Sequence, residues 1–281
     1  MRASTLAAAL ALAAAPAVPA RAQDAAPAPA PGLRLEINIP ENRLRVFEGD
    51  SLLETYRVSV GMPGHDTPDG EFAIDHAEWN PWWRPPPRDW AKDDRVTPPG
   101  PHNPMGRVKL FFAPLYYIHG TPDAENIGRP ASHGCVRMLN RDVVALAKLL
   151  HARHGGSLSE AEIARVLARP SEARASRLAA PVPLSIRYQP IVVEGGELKI
   201  FPDVYDRRRV HGEGVRQALL QAGYDGSSIG REEVRRVLER ARAGKGVLSV
   251  PLAEAFAGLR RAPGAAAEAL GTQAARPASL P

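Results

Sequence analysis

Residues 117–138 hold two short motifs that carry the chemistry of this chain, YIHGT at 117–121 and SHGCVRM at 132–138. The second motif contains Cys135, the one cysteine among 281 residues. A thiol nucleophile needs a base or a positive environment, because its ordinary pKa of about 8.5 leaves it protonated near neutral pH. Two bases lie close by, His119 at the end of a predicted strand and His133 just before the thiol. Their spacing alone leaves both histidines as candidates for the residue that takes the thiol proton.

The residues around the thiol suggest how a substrate would be held. Gly134 lets the backbone approach a substrate closely, so the N–H groups of Gly134 and Cys135 are predicted to form an oxyanion hole, worth roughly 3–4 kcal/mol. Arg137 suits either a substrate carboxylate or a neighbouring acidic side chain. A metal site of His119, His133 and Cys135 is disfavoured, because it has no second cysteine and no clear carboxylate. A buried, inert cysteine is the other alternative, and the flanking histidines and glycine favour a nucleophile.

Composition excludes several classes of protein. With a single cysteine the chain has no internal disulfide and no multi-thiolate zinc site. Lys and Arg number 36 against 31 Asp and Glu, and a net charge of +5 is too small to indicate a nucleic-acid partner. The sequence contains no nucleic-acid-binding motif with interleaved aromatic residues, so a nucleic-acid partner is not predicted. The length fits one medium domain with an appendage, or two small domains.

The first 22 residues are typical of a secretory signal peptide. Arg2 precedes an apolar run from about Leu6 to Ala15, and the segment ends in Ala20-Arg21-Ala22. We therefore expect cleavage near Ala22 and export to a bacterial periplasm. Residues 23–32 are a Pro/Ala leader, and no later apolar stretch is long enough to predict a transmembrane anchor. An exported lone thiol risks oxidation, which favours a cysteine retained for its reactivity.

Hydrophobic periodicity predicts a series of short strands with a few helices over residues 33–188. Strands are predicted at 33–39, 44–46, 53–60, 72–74, 108–112, 115–118, 182–188, 191–193 and 198–201. Helices are predicted at 140–150 and 159–167. The Trp- and Pro-rich segment 80–104 is expected to be an ordered loop that covers a groove.

Residues 189–260 are predicted to form a C-terminal extension, with short strands followed by a small α-helical region. Two helices at 215–222 and 231–243 form a hairpin whose exposed faces carry many arginines. A solvated hairpin is favoured over a docking surface for another protein. The composition of residues 261–281 predicts a disordered tail.

The motifs together resemble the L,D-transpeptidase catalytic domain of the YkuD family, in its periplasmic, peptidoglycan-modifying branch. The match rests on the two motifs of residues 117–138, on TPDGEF at 67–72 and on NPMG at 103–106. The aromatic and proline residues at 80–86 are also similar to a loop of that branch. The resemblance covers about residues 33–150 and continues less clearly to 188. It implies a mainly β catalytic domain over residues 33–188 with a β-sandwich or barrel fold. Compared with the family, residues at about 151–180 are expected to be a helical insertion.

The resemblance also implies a two-step acyl transfer in cell-wall biogenesis and cell shape. Cys135 would be the nucleophile, and His119 the general base and then acid, with the Gly120 carbonyl orienting its ring. The thiolate would attack the carbonyl of the diamino acid at position 3 of a peptidoglycan tetrapeptide stem and release D-alanine. An amine would then capture the acyl-enzyme. Ser132, His133 and Arg137 are expected to bind substrate, and no metal or cofactor is implied.

Two other functions remain open at this point. In a thiol L,D-carboxypeptidase or amidase, water captures the acyl-enzyme, and sequence does not separate this from transfer to an amine. In a non-catalytic wall-binding module the thiol is passive, which the intact pair of His119 and Cys135 disfavours. The acceptor is equally open between a second stem, an outer-membrane lipoprotein and water. The region beyond about residue 189 resembles no known element and is a candidate docking site for a partner protein.

Overall fold

Residues 33–57 fold into three antiparallel strands in the computed structural model, which describes residues 32–262. These strands are β1 (Leu33–Asn38), β2 (Arg43–Glu48) and β3 (Ser51–Arg57). Leu33, Leu35 and Ile37 alternate along β1 and are all buried, as the two-residue period of a strand requires. The predicted meander at the start of the domain is therefore present.

Five further strands complete an eight-stranded sheet. They are β4 (Gly70–Trp79), β5 (Val108–Ala113), β6 (Tyr116–Thr121), β7 (Val136–Leu139) and β8 (Arg174–Arg187). The strand order is β3-β2-β1-β8-β4-β5-β6-β7. The β1–β8 and β6–β7 pairs are parallel, and the other neighbours are antiparallel.

The chain that follows β3 nearly closes this sheet into a barrel. Ser59 exchanges two backbone hydrogen bonds with Arg137 of β7, at 2.9 and 2.8 Å. The N–H of Met62 donates to the carbonyl of Ser132 at 2.9 Å. Because β3 and β7 lie at opposite edges of the sheet, these bonds bring the two edges together. The predicted mainly β, barrel-like domain is confirmed.

Two helices follow β7. The first, α1 (Asn140–His154), buries Val143, Leu146 and Leu150 in the same core as the sheet. It runs past its predicted end at Leu150 because His151 is held at both ring nitrogens, by the Ala147 carbonyl at 2.9 Å and by Ser176 Oγ at 2.8 Å. The second, α2 (Glu160–Ala168), begins at a capping box.

The predicted helical insertion at about 151–180 is shorter in the structure, because β8 begins at Arg174. Two prolines conceal this strand in the sequence. Pro181 and Pro183 are exposed, and a register shift opposite Ile74–His76 leaves Pro181 unpaired. A strand accommodates proline at such a bulge, so β8 extends over 14 residues despite its composition.

The C-terminal residues form a second core. Their elements are β9 (Ile191–Glu194), β10 (Glu197–Ile200), α3 (Gly212–Gln221), β11 (Tyr224–Asp225), α4 (Arg231–Ala243), β12 (Leu248–Pro251), α5 (Leu252–Ala255) and β13 (Arg260–Arg261). The two predicted helices are present as α3 and α4. The structure adds β12, which was not predicted and which joins a three-stranded sheet of order β12-β10-β9. Leu198, Leu219 and Phe256 lie at the centre of this core.

Several predicted segments lie outside the described residues: the signal peptide at 1–22, the leader except Gly32, and the tail beyond Ala262. Within residues 32–262, the helices are all too short or too polar to cross a membrane.

Candidate active site

The register of β5, β6 and β7 gathers polar side chains on one face of the sheet. Lys109 pairs with His119, and His119 pairs with Arg137. Side chains on paired positions of adjacent strands project to the same side. The alternating residues Ile118 and Val136 are fully buried in the core on the opposite side. Strand pairing therefore brings a histidine, a lysine and an arginine together from three different strands.

His119 is held in one tautomer. Its Nδ1 lies 2.6 Å from the carbonyl oxygen of Gly120 and its side chain is buried. A carbonyl oxygen only accepts, so Nδ1 carries the proton and the lone pair on Nε2 is left as the base. Burial lowers the pKa of His119 to about 3, and the positive charges of Arg137 and Lys109 act in the same direction. The ring is therefore a neutral base at physiological pH.

Gly120 has to be glycine for this arrangement. A Cβ atom at this position would lie 2.2 Å from Oδ1 of Asn140. The Asn140 side chain occupies that space because its Oδ1 accepts from the Arg107 N–H at 2.9 Å and its Nδ2 donates to the Thr121 carbonyl at 3.2 Å. The carbonyl that binds the His119 ring thus belongs to a backbone fixed from the side of α1.

Cys135 comes directly before β7 and is partly buried. Burial raises the pKa of its thiol to about 11, while the backbone N–H of Tyr117 and the charges of Arg137 and Lys109 partly oppose this. The sulfur lies 3.7 Å from the carbonyl oxygen of Leu115. The sequence argument requires a thiol ionised near neutral pH, whereas this environment keeps it protonated. The thiol and the histidine are therefore both neutral at rest, so the proton would have to leave as the sulfur attacks.

The backbone N–H of Gly134, one of the two predicted oxyanion donors, is already engaged. It donates to Ser132 Oγ at 3.1 Å, and that hydroxyl donates to the Cys135 carbonyl at 2.5 Å. Gly134 has φ of +110°, and a Cβ there would meet the Tyr116 ring at 2.8 Å. Ser132 was expected to bind substrate. In the structure it is buried and its hydroxyl bonds within the loop that carries the thiol.

The second histidine of the motif stacks with aromatic rings. The ring of His133 is parallel to that of Trp90, with 4.0 Å between centroids, and meets His65 edge to face at 4.7 Å. Burial, then the charges of His65 and Arg137, lower its pKa. His133 therefore forms part of the wall beside Cys135. Unlike the ring of His119, its ring has no hydrogen bond to a described backbone group that would fix one tautomer.

A cavity of about 210 Å³ contains both His119 and Cys135. Its other wall comes from the Trp- and Pro-rich segment between β4 and β5, through Trp82, Trp83 and Trp90. The segment is anchored: Trp83 and Thr97 exchange backbone hydrogen bonds at 3.0 and 2.9 Å. The expected ordered loop lies over the groove that holds the thiol.

Lys109 and Tyr117 border the same cavity, and the sequence analysis did not single them out. Lys109 could have been singled out from the sequence, because it is the only charged residue in the otherwise apolar strand VKLFFA. In the structure its ammonium group lies 2.7 Å from a carboxylate oxygen of Glu78 on β4. Within residues 32–262, the structure brings together no cluster of three His, Cys, Asp or Glu side chains suited to a metal ion.

Comparison with known proteins identifies the domain. Residues 33–163 match the family model of the L,D-transpeptidase catalytic domain, YkuD. A probable L,D-transpeptidase of Escherichia coli K12, ErfK/SrfK, is 34% identical over 116 residues, which cover 38% of this chain and 37% of that protein. A putative L,D-transpeptidase of Bacillus licheniformis, YkuD, is 33% identical over 118 residues, 42% of this chain and 59% of that protein.

The match spans part of each relative. The chain covers less than two thirds of the length of both curated proteins. A solved L,D-transpeptidase 3 of Mycobacterium tuberculosis is 13% identical, with a TM-score of 0.36 over 56% of this chain and 60% of that one, too low a likeness to support a conclusion. The sequence match alone is sufficient to assign residues 33–163 to a family. The domain that residues 33–163 form belongs to the YkuD family of L,D-transpeptidase catalytic domains.

Proposed function

We propose that this chain is a peptidoglycan L,D-transpeptidase in which Cys135 is the nucleophile and His119 the general base. One observation carries the proposal: the only cysteine shares a cavity with a histidine whose Nδ1 is bound by a backbone carbonyl. That contact leaves Nε2 free to accept a proton. Membership of the YkuD family supports the same chemistry.

In the first half-reaction, Nε2 of His119 takes the thiol proton while the sulfur attacks the carbonyl carbon of the diamino acid at stem position 3. The tetrahedral intermediate then collapses, the C–N bond breaks, and D-alanine leaves with the proton from His119. The low pKa of His119 favours this second transfer, because a buried imidazolium beside Arg137 and Lys109 readily gives up its proton. A thioester to Cys135 remains.

In the second half-reaction, an amine attacks the thioester. His119 removes a proton from the attacking nitrogen, and the sulfur leaves as the new amide bond forms and recovers a proton as the thiol. A second stem peptide or a lysine of an outer-membrane lipoprotein would supply the amine. If water attacks instead, the product is a shortened stem, and the protein is an L,D-carboxypeptidase.

Arg137 is the residue we propose for holding a substrate carboxylate. Its side chain is partly buried, and burial lowers its pKa. Among the described residues no carboxylate lies within ion-pair distance of it, in contrast to Lys109, which pairs with Glu78. A half-buried guanidinium that bonds to the Ala131 carbonyl but to no carboxylate is suited to an incoming carboxylate. Of the two predicted oxyanion donors, we propose that the backbone N–H of Cys135 is the main one, because the N–H of Gly134 already donates to Ser132 Oγ.

The site of action follows from the same proposal. Peptidoglycan lies outside the cytoplasmic membrane, so the proposed signal peptide would be removed near Ala22 and the enzyme would act in the periplasm. Edman sequencing of protein from the periplasmic fraction tests this, with a new N-terminus expected close to Gln23.

Turnover of muropeptides tests the function. The chain is incubated with tetrapeptide-stem muropeptides, and products are followed by mass spectrometry for the wild type, Cys135→Ala, His119→Gln and a control, His102→Gln, at an exposed histidine. We expect cross-linked dimers from the wild type and the control and none from the other two. Tripeptide monomers alone would instead indicate the carboxypeptidase. Unchanged products from Cys135→Ala would rule out every thiol mechanism. A carbapenem adduct on Cys135, expected from the family, is a faster first experiment.

A further inference from the structure

The hydroxyl of Tyr205 links the C-terminal part of the chain to the loop before β4. It donates to the carbonyl of Gly61 and accepts from the N–H of Thr67, both at 3.0 Å. Tyr205 lies outside residues 33–163, the part that matches the family. One hydroxyl therefore joins the two ends of the turn formed by residues 61–67.

Thr67 passes this constraint to the loop of the nucleophile. Its side chain is fully buried, and its Oγ1 accepts from the N–H of Gly61 and donates to the carbonyl of Gly134, both at 2.8 Å. The turn is tight, because a Cβ on Gly61 would lie 1.9 Å from the His65 carbonyl oxygen. The Thr67 backbone is therefore held by Tyr205, and the Thr67 hydroxyl donates its only proton to the carbonyl of Gly134, directly before Cys135.

The bond to the Gly134 carbonyl also fixes the N–H of Cys135. Both groups belong to the same peptide unit, which is trans, since the described residues contain no cis peptide bond. In a planar trans peptide the N–H points opposite to the carbonyl. Thr67 thus sets the direction of the N–H that we propose as oxyanion donor, and a donor works only when it is aimed in advance.

Tyr205 is itself fixed by its surroundings. Its backbone N–H donates to the Tyr188 hydroxyl at 2.8 Å, and the two rings stack with centroids 5.4 Å apart. The guanidinium of Arg207 lies over both rings, at 4.5 Å from Tyr188 and 5.2 Å from Tyr205. The same group bonds to Asp69 at 2.8 Å and Asp66 at 3.2 Å, on either side of Thr67.

We propose that Tyr205 is a positioning residue for acyl transfer, which acts through Thr67 on the Gly134–Cys135 peptide, and that residues 188–207 are part of the catalytic unit. Its effect on turnover rests on the proposed transpeptidase function. Its effect on the loop does not, and can be measured on the thiol itself. Loss of the Tyr205 hydroxyl would loosen the turn, misalign the N–H of Cys135 and admit water to the sulfur.

The experiment compares Tyr205→Phe with Tyr224→Phe, the same change at another tyrosine of the C-terminal region, whose ring packs under Arg261. We expect kcat for acyl transfer to fall at least tenfold in Tyr205→Phe with KM within twofold, and neither to change in Tyr224→Phe. Iodoacetamide labels only Cys135, so the labelling rate at pH 7.5 reports on the loop. It should rise at least threefold in Tyr205→Phe, because reduced burial lowers the thiol pKa towards its ordinary value.

Two further variants separate positioning from general destabilisation. Thr67→Val removes the bond to Gly134 and should lower kcat at least as much as Tyr205→Phe, whereas Thr67→Ser keeps the hydroxyl and should retain activity within threefold. The double variant Tyr205→Phe/Thr67→Val should be no slower than Thr67→Val alone, since both act on one path. Melting temperatures, measured for each, show that the variants are folded at the assay temperature.

The proposal is overturned if Tyr205→Phe matches Tyr224→Phe in both kcat and labelling, or if its effect adds in full to that of Thr67→Val. If the wild type transfers no acyl group, the proposed function fails, and the labelling rates still decide whether Tyr205 controls the loop. If the labelling rates of Tyr205→Phe and wild type are then equal, the positioning role is ruled out as well.

Discussion

At the scale of single residues, the site pairs two groups that its own interior keeps uncharged. His119 is a buried base with a pKa of about 3, and Cys135 is a thiol with a pKa of about 11. In many thiol enzymes a preformed thiolate and imidazolium are stabilised instead. Here Lys109 and Arg137 disfavour an additional positive charge on the histidine while favouring a negative one on the sulfur. In the proposed mechanism, the proton therefore moves only as the sulfur attacks the substrate.

The thiol should therefore titrate late. We expect the rate of iodoacetamide labelling to rise about tenfold per pH unit up to about pH 11, because only the thiolate reacts and burial raises the thiol pKa to about 11. Lys109→Met should move the profile to still higher pH, since it removes a nearby positive charge. The urea-unfolded chain is the control, and its labelling rate should level off near the ordinary thiol pKa of about 8.5. A plateau at or below pH 8.5 in the native protein would mean that the thiolate exists at rest.

The buried histidine should make the fold sensitive to acid. Its folded pKa of about 3 lies below the unfolded value of 6.5, so the unfolded chain takes up the proton first as pH falls. The free energy of unfolding that this residue contributes is present above pH 6.5. It is lost by about 1.4 kcal/mol per pH unit below that value, until pH approaches the folded pKa.

Urea unfolding between pH 7 and pH 4 measures this loss. The wild-type advantage over His119→Gln should shrink steadily as the pH falls, while His102→Gln, at an exposed site, should keep the wild-type slope. Parallel curves for wild type and His119→Gln would contradict the assignment of a buried neutral ring.

At the scale of elements, the Trp- and Pro-rich loop is ordered by asparagine side chains and not by regular structure. The Nδ2 group of Asn103 donates to the carbonyls of Pro81, Thr97 and Pro98 at 2.9–3.0 Å. The Nδ2 group of Asn80 donates to carbonyls at the end of and beyond α2, the nearest at 2.7 Å. Prolines lack an N–H, so the carbonyls in this loop have few backbone partners, and amide side chains take that role.

Asn103→Ala should release the loop. It removes three donated bonds and leaves the carbonyl of the buried Pro81 without its Asn103 partner, which costs about 1–3 kcal/mol of stability. Limited trypsin digestion tests the effect without any assumption about function, because Arg84, Arg88, Lys92 and Arg95 all lie in the loop. Cleavage there should accelerate about tenfold or more, as local opening becomes easier. The neighbouring exposed residue supplies the control, His102→Ala, and equal cleavage of the two variants would show that Asn103 does not anchor the loop.

At the scale of the whole molecule, the two cores are joined by partly buried polar contacts. Arg45 on β2 bonds to Glu41 at 2.6 and 2.7 Å and to Glu194 on β9 at 3.0 Å. The side chain of Glu41 is only 2% exposed. Asn38 on β1 donates to the Gln189 carbonyl at 2.9 Å and accepts from the N–H of Gln189 at 3.0 Å. The C-terminal core is therefore tied to the barrel at β1 and β2 as well as at the turn that carries Thr67.

Arg45→Met should be strongly destabilising. It leaves the buried carboxylate of Glu41 without its closest partner, and breaking a buried pair from one side costs about 3–5 kcal/mol. Arg235→Met on α4 is the matched control, because Arg235 also pairs with two glutamates but is exposed, where ion pairs contribute about 1 kcal/mol or less. Chemical denaturation of both variants gives the comparison. A loss below about 1 kcal/mol for Arg45→Met would show that the buried Arg45–Glu41 pair does not stabilise the fold.

Short-range patterns in the sequence were enough to locate many of the elements. Alternation placed β1 to β6 and the end of β8, apolar periodicity placed α1 to α4 within a few residues, and the motifs around His119 and Cys135 gave the candidate chemistry. The sequence analysis missed β7 and β12, which are only four residues long, and the first half of β8, whose prolines lie at exposed or unpaired positions. Such segments become strands because neighbouring strands pair with them, and that information is not in their own residues.

Tertiary structure alone decided which residues act together. The parallel register of β6 and β7 places Arg137 beside His119, and the pairing with β5 adds Lys109. Burial then sets the two pKa values, because it removes water from groups that the sequence shows only as a histidine and a cysteine. Thr67 lies 67 positions before Gly134 and 138 before Tyr205, so no periodicity relates them. Their hydrogen bonds exist only because the folded chain brings these distant residues together.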